Sequence, residues 1–354
     1  MEATVTNVTE FLGRFIPYLS VLSVTVNCCH LVVLTRKSMP STSMNTILIG
    51  IAVVDILAPM VYIWQGAWSI VGLWRGICDI PTYSEILFSL IIRAAYEDLR
   101  RCSTWLGLSL AIIRTVSVKM ASRKRYLTFL IISPQLDIYY FLSFNSISES
   151  RFGVKVIIVA IFLSSLITIS YLFRFLIVVD NSHICATSSG LVISTPMFSI
   201  EEFFNKVPVG GSARTIHILL TGILGQLVPC LLFTVFAMIL ICELRKPDKK
   251  SRTEKISKMV IYMMVTFLVI ELPIGIGKMF NAMQTESTIP RNWNQCFNYF
   301  YVPITMFHCF ICFRMSSQYR RTALCLIGVK STMSVPMSRQ NPSTCITFVN
   351  TMNR

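Results

Sequence analysis

Charge is what this chain has least of. Of its 354 residues, 14% are Asp, Glu, Lys or Arg, while 54% are hydrophobic and mean hydropathy is +0.64. A water-soluble domain keeps about a quarter of its residues charged, so the composition excludes that class and places the chain in lipid. Enzyme signatures are missing too. There is no GxSxG nucleophile elbow, no HExxH pair and no phosphate-cradling GxxxxGK, the spacings that hydrolases, metalloenzymes and NTPases need. An enzyme is therefore not expected, and neither is a cofactor. Val209-Gly210-Gly211-Ser212 reads as a loop hinge. A small transporter or channel would show repeated halves, or Gly/Pro-broken spans at matching positions in them; Gly275 and Gly277 after Pro273 are a single interruption. Roughly the first 14 residues are polar and mildly acidic, with neither a basic start nor a small-residue cleavage site, so no removable signal peptide is expected.

What is there is a series of long apolar runs. About 20 apolar residues cross about 30 Å of hydrocarbon as a helix. Such runs extend from Phe15 to Leu34, Met44 to Ile63, Ile86 to Val118, Val154 to Phe175, Ile216 to Cys242, Lys258 to Phe280 and Cys296 to Phe313. Lipid offers backbone groups no partners, and the two-residue alternation of a barrel is absent, so these are helices. The expected fold is an all-α membrane protein, a seven-transmembrane helix bundle.

An eighth apolar stretch, Tyr126 to Phe144, contains Pro134 and Asp137. Counting it as a span would put the basic loop Glu243 to Lys258 outside, against the positive-inside tendency. With seven spans, Arg36/Lys37, Lys119/Arg123/Lys124/Arg125, that loop and Arg320/Arg321 all face the cytosol. The net charge of +15 thus reflects topology, and no nucleic-acid partner is expected. The expected organisation is an extracellular N-terminus (1–14), a seven-span domain (15–314) with a cytoplasmic insertion at about 122–148, and a cytoplasmic tail (315–354). Asn7-Val8-Thr9 is a glycosylation sequon on the outer side. Ser317 to Ile327 suits a short helix on the membrane surface, with Tyr319, Leu324 and Leu326 toward lipid. Cys325 there is a candidate for palmitoylation, or an ordinary reduced thiol.

Twelve cysteines suggest a disulfide framework only until they are placed. Most fall within spans, where Cys behaves as a small apolar residue, or on the reducing cytosolic side. Cys78, Cys185 and Cys296 remain. A Cys78–Cys185 bond would pin the long loop before the fifth span to the top of the third; Cys296 is the competing partner. No CxxC or HExxH spacing joins these three, so no metal site is expected.

Ionisable groups at membrane depth are costly and are candidates for function. Asp55 and Asn27 sit mid-span, suited to a polar cluster that switches between packings, or to a fixed interhelical hydrogen bond. Glu97, Asp98, Arg100 and Arg101 interrupt the third span. They lie ~20–25 Å from Arg114 at 1.5 Å per residue. Glu97 with Arg101, and Asp98 with Arg101, have the i,i+4 and i,i+3 spacings that put side chains on one face, either as paired charges in a ligand cavity or as an internal ion-pair network. Glu271 precedes Pro273, which removes a backbone donor and makes a hinge. A buried carboxylate there needs a cation: Arg100, Arg101 or a ligand group. Arg114 closes the third span, as a snorkelling residue or a coupling residue.

These residues carry a resemblance. Asp98-Leu99-Arg100-Arg101-Cys102-Ser103-Thr104-Trp105-Leu106-Gly107, Ile113-Arg114-Thr115, Phe267 to Gly275 and Met315-Ser316-Ser317-Gln318-Tyr319-Arg320 resemble nematode serpentine receptors of class W. That branch of the rhodopsin-like G-protein-coupled receptors is similar to FMRFamide and myosuppressin-type peptide receptors. The likeness covers nearly all of residues 15–325. It implies that Arg114, in a reduced Ile-Arg-Thr motif without its acidic neighbour, couples to a heterotrimeric G protein. It implies that Asn27, Asp55, Trp105, Pro273 and His308 belong to the activation machinery, and that Glu271 replaces a toggle tryptophan. Ile304 stands where the branch usually keeps an Asn, which removes a partner from Asp55. The expected function is a multi-pass plasma-membrane receptor that binds a short amidated peptide through Glu97, Arg100, Arg101 and Glu271. A chemosensory receptor for an environmental cue is the alternative; its other partner is membrane lipid.

Overall fold

The computed structural model describes residues 2–74, 82–130, 147–172, 175–180, 184–186, 192–194, 197–202, 218–219, 221–245, 251–283 and 289–328. Seven long helices are present among them: α1 (Glu2–Leu34), α2 (Ser43–Trp74), α3 (Tyr83–Leu130), α4 (Ser150–Leu172), α5 (Val228–Leu244), α6 (Ser251–Met283) and α7 (Ile289–Met315). A short amphipathic α8 (Ser317–Leu326) follows. Six of the seven are long and apolar enough to cross a membrane by composition alone. The exception is α3, which carries Glu97, Asp98, Arg100 and Arg101 mid-helix. Its place in the bundle explains how it tolerates them: α3 packs against α2, α4, α5 and α6, while α7 closes the ring onto α1 and α6. The charged side of α3 therefore meets other helices rather than lipid.

The outward faces are apolar. Leu231 is 68% exposed, Phe162 62% and Ile158 60%. In water such faces would aggregate; in a bilayer they meet acyl chains at no cost. Inside, one apolar cluster (Leu34, Ile51, Leu106, Phe233, Val260, Met264) fills the half nearer α8, and a second (Ile16, Ala58, Tyr62, Ile274, Tyr301) fills the opposite half.

Four features differ from the sequence reading. First, α1 begins at Glu2 rather than at residue 15, so residues 2–14 continue the first helix. Thr9 is buried; its hydroxyl donates to Val5 O at 2.8 Å, and Asn292 on α7 donates to Thr6 Oγ1 at 2.9 Å. Polar side chains that satisfy themselves locally let the helix run on. Second, α3 runs through the start of the expected insertion to Leu130, and α4 opens at Ser150; residues 131–146 lie outside the described ones. Third, the connection between α4 and α5 carries short strands, which the sequence reading did not include. Between α4 and α5, β1 (Phe175–Asp180) pairs antiparallel with β4 (Met197–Glu202), and β2 (Ile184–Ala186) with β3 (Val192–Ser194). The run Ile177-Val178-Val179 favours a strand, and β1 and β4 rest against α3. Fourth, Tyr319 does not face lipid. It is buried, with its hydroxyl 2.7 Å from His30 Nδ1 on α1, and burial pushes its pKa up. Leu326 is exposed and Leu324 half-buried.

Close helix approach depends on missing side chains. A Cβ on Gly107 of α3 would collide with the Phe267 ring of α6, which stacks on Phe233 at 5.5 Å. Gly107→Ala is expected to destabilise the bundle by about 1–3 kcal/mol through overpacking. Thermal unfolding of the purified variant checks this, and an unchanged midpoint would contradict the contact.

Candidate functional site

Three polar layers are stacked along the inside of the bundle. The central one surrounds Asp55 of α2, which is fully buried. Ser103 of α3 donates to its Oδ1 at 3.2 Å, Tyr301 of α7 donates to the same oxygen at 3.3 Å, and His308 Nδ1 of α7 lies 2.7 Å from Oδ2. Asn27 of α1 donates to Asp55 O at 3.4 Å and to Ser23 Oγ at 3.3 Å; Ser23 in turn meets Thr305 of α7 at 2.9 Å. Three helices, α2, α3 and α7, are thus tied through one carboxylate, and α1 joins them through the Asp55 carbonyl. His308, Tyr301 and Ser103 together occupy both carboxylate oxygens of Asp55. Tyr301, Thr305 and His308 follow i,i+4,i+7 spacing and share a face.

Trp105 does not join this layer. It is half-buried, its indole Nε1 has no hydrogen-bond partner, and it lines a cleft of about 270 Å³ between α3 and α4 with Ser109, Phe152, Lys155 and Leu163.

The second layer, toward the end of the bundle opposite α8, is a charge network. Glu97 Oε2 lies 3.3 Å from Arg100, 3.9 Å from Arg101 and 3.1 Å from Lys278 Nζ. Arg100, fully buried, also donates to Asn298 Oδ1 of α7 at 2.6 Å and stands 4.0 Å from Glu271 Oε1. The structure therefore brings Glu97, Arg100, Arg101 and Glu271 together, and the cation that Glu271 requires is Arg100. Asp98 turns the other way. It accepts from Ser165 at 3.2 Å and Thr168 at 2.9 Å on α4, and Thr168 accepts from Arg101. The i,i+3 spacing of Asp98 with Arg101 is bridged by that hydroxyl.

Two members of the network escaped sequence reading. Lys278 lies seven residues, two helical turns, after Glu271, so period alone would have placed it on the same face. Gln226 had no such signal. It sits in a π-helical turn, Ile223–Leu227, directly before α5. The wider turn shifts the helical phase and presents Gln226 to the network. With its amide oriented by those neighbours, its oxygen accepts from Arg100 and, at 3.0 Å, from Lys278. The turn fits closely against α6, where a Cβ on Gly275 would lie 3.1 Å from Gln226 Cβ.

The third layer lies at the α8 end. Arg114 of α3, buried, donates from Nε to Ser257 Oγ of α6 at 3.1 Å. Arg114 is thus tied to α6 through a hydroxyl. Pro273 lies on α6 between Ser257 and Lys278. Nearby, Gln318 of α8 donates to Ser38 O at 2.7 Å, and Thr322 meets Ser38 Oγ at 2.9 Å, which docks α8 against the α1–α2 connection.

The remaining expectations concern modification. Asn7 is exposed on α1. Cys78 lies outside the described residues, as does the side chain of Cys185; Cys296, the competing partner, is a free thiol. Cys325 is disulfide-bonded, so acylation there would need the reduced thiol. Among the described residues, no group of three or more His, Cys, Asp or Glu could hold a metal ion.

Comparison with known families gives one match. Residues 14–330 match the model described as "serpentine type 7TM GPCR chemoreceptor Srw". A search of curated protein sequences returned no match.

Proposed function

The chain belongs to the serpentine class W family of seven-helix G-protein-coupled receptors, and from that premise we propose that the charge network is its ligand-responsive element and Arg114 its coupling element. Membership makes it a multi-pass plasma-membrane receptor with a ligand and a heterotrimeric G protein as partners. One observation carries the finer reading: α3 and α6 are tied at both ends. Glu97 and Arg100 of α3 pair with Lys278 and Glu271 of α6 at one end, and Arg114 bonds Ser257 at the other. Pro273 lies between. A ligand that re-pairs the charges changes how the two helices lean at the hinge, and with it the Arg114–Ser257 contact. Such a ligand acts only through its differential affinity for the two arrangements.

The end carrying Arg114 and α8 is assigned to the cytosol, because Arg36, Lys37, Lys119, Arg320 and Arg321 cluster there. The network then opens outward. The family description favours a chemosensory cue as ligand. A short amidated peptide is the second reading, favoured by Glu271 Oε1, a buried acceptor without a hydrogen-bond partner that suits a cationic group.

The test is a screen of chemical cues and amidated peptides in cells that report G-protein activation. Arg114→Ala is expected to reduce the maximal response at least tenfold while surface expression is retained. A full response from Arg114→Ala would remove the coupling assignment.

A further inference from the structure

We propose that the ligand presents an oxyanion, a carboxylate above all, to the three cations that now converge on Glu97, whose own carboxylate fills that place as a tethered stand-in. The proposal rests on the receptor reading and names the ligand chemistry of the same site.

Three donors of positive charge meet one carboxylate oxygen: Arg100 at 3.3 Å, Arg101 at 3.9 Å and Lys278 at 3.1 Å from Glu97 Oε2. Planar guanidinium groups recognise carboxylates through paired N–H donors, and here two of them point at one acceptor. Two guanidinium nitrogens are left without a hydrogen bond. Arg100 and Arg101 are 0% and 3% exposed, and the Nε of each is buried with no hydrogen-bond partner. Arg100, Arg101 and Lys278 face Glu97 and Glu271 directly, while the Asp98 carboxylate accepts from Ser165 and Thr168 on α4 and meets Arg101 only through the Thr168 hydroxyl. The side chains of Glu97 and Lys278 are 16% and 17% exposed, those of the two arginines almost wholly covered. Glu97 and Lys278 thus form the open side of the site, with the arginines beneath. An incoming carboxylate meets Lys278 first, takes the arginines from Glu97, and releases a side chain of α3 from its bond to α6. The tether gives Glu97 a high effective concentration. A simple acid therefore competes poorly with it, and further ligand contacts supply the difference.

The experiment is chemical rescue of the full-length receptor in lipid nanodiscs, read by thermal unfolding. In sodium chloride, Glu97→Ala is expected to melt below the native protein. Sodium acetate at equal ionic strength restores the midpoint in a saturable way, while methylguanidinium chloride does not. The native protein responds little to acetate. Adding Lys278→Met to Glu97→Ala raises the acetate concentration for half-restoration about tenfold, the loss of one charge-assisted bond. Glu97→Gln, which keeps the shape and removes the charge, is titrated alongside and is expected to gain stability from acetate more than the native protein does. The proposal is overturned if acetate and chloride act alike on both variants, or if methylguanidinium is the ion that restores stability. No G protein enters this measurement. A receptor that signals to a cationic ligand and ignores acetate keeps its receptor assignment and loses this one; saturable acetate rescue without any G-protein response does the reverse.

Discussion

Arg100→Met is expected to destabilise the folded receptor by about 3–5 kcal/mol, the cost of leaving a buried charge without its partner. The residue stranded is Glu271, which is 1% exposed and whose nearest cation is Arg100 at 4.0 Å. Glu97 suffers less, because Lys278 and Arg101 still reach it. The pair also obeys a second rule: removing both partners of a buried ion pair costs far less than removing one. Adding Glu271→Leu to Arg100→Met should therefore recover more than half of the loss. Thermal unfolding of the four proteins of the cycle, purified in one detergent, measures the coupling. Additive losses would mean that the two residues do not sense each other.

The second large effect concerns Asp55. A neutral hydrogen bond between membrane helices is worth only about 0.6 kcal/mol, so loss of one such bond would pass unnoticed. Asp55→Ala removes the acceptor of Ser103 and Tyr301 and the partner of His308 at once. Orphaning buried polar groups costs about 1–3 kcal/mol each before relaxation. A loss on the order of 3 kcal/mol is expected, with Asp55→Asn, which keeps one acceptor oxygen, losing roughly half as much. Equal midpoints for Asp55→Ala and the native protein would mean that the central layer is incidental to the packing of α1, α2, α3 and α7.

The spans were legible in the sequence because their cause is local: a run of apolar residues of bilayer length has no better place to go. Even α3 could be found despite Glu97 to Arg101, since apolar residues flank the charges on both sides. Helix ends were less legible. Nothing in the composition of residues 2–14 announces that Thr9 and Asn292 hold α1 to α7. The β1–β4 ribbon carried a signal in Ile177-Val178-Val179, but the run sits within reach of the preceding apolar segment and reads as its continuation.

In the charge network, a cation for Glu271 followed from the cost of a lone buried carboxylate, and the structure selects Arg100 from the candidates Arg100, Arg101 and a ligand group. Lys278 was available from its spacing. Gln226 was not, because a π-helical turn breaks the periodicity on which such a reading depends. Trp105 shows the opposite failure. Its position in a motif suggested the polar core, whereas the rotation of α3 points it toward α4. For Asp55, the substitution at Ile304 suggested a missing partner; three other side chains occupy its oxygens, and only their placement in space could reveal that.

Whether the charge network opens outward and Arg114 faces the G protein depends on an odd number of crossings. Epitope tags placed at the two chain ends, stained in intact and then in permeabilised cells, read this directly. The N-terminal tag should be reached in intact cells and the C-terminal tag only after permeabilisation. Both tags reached on the same side would contradict the seven-span receptor, and with it the direction assigned to every layer of the bundle.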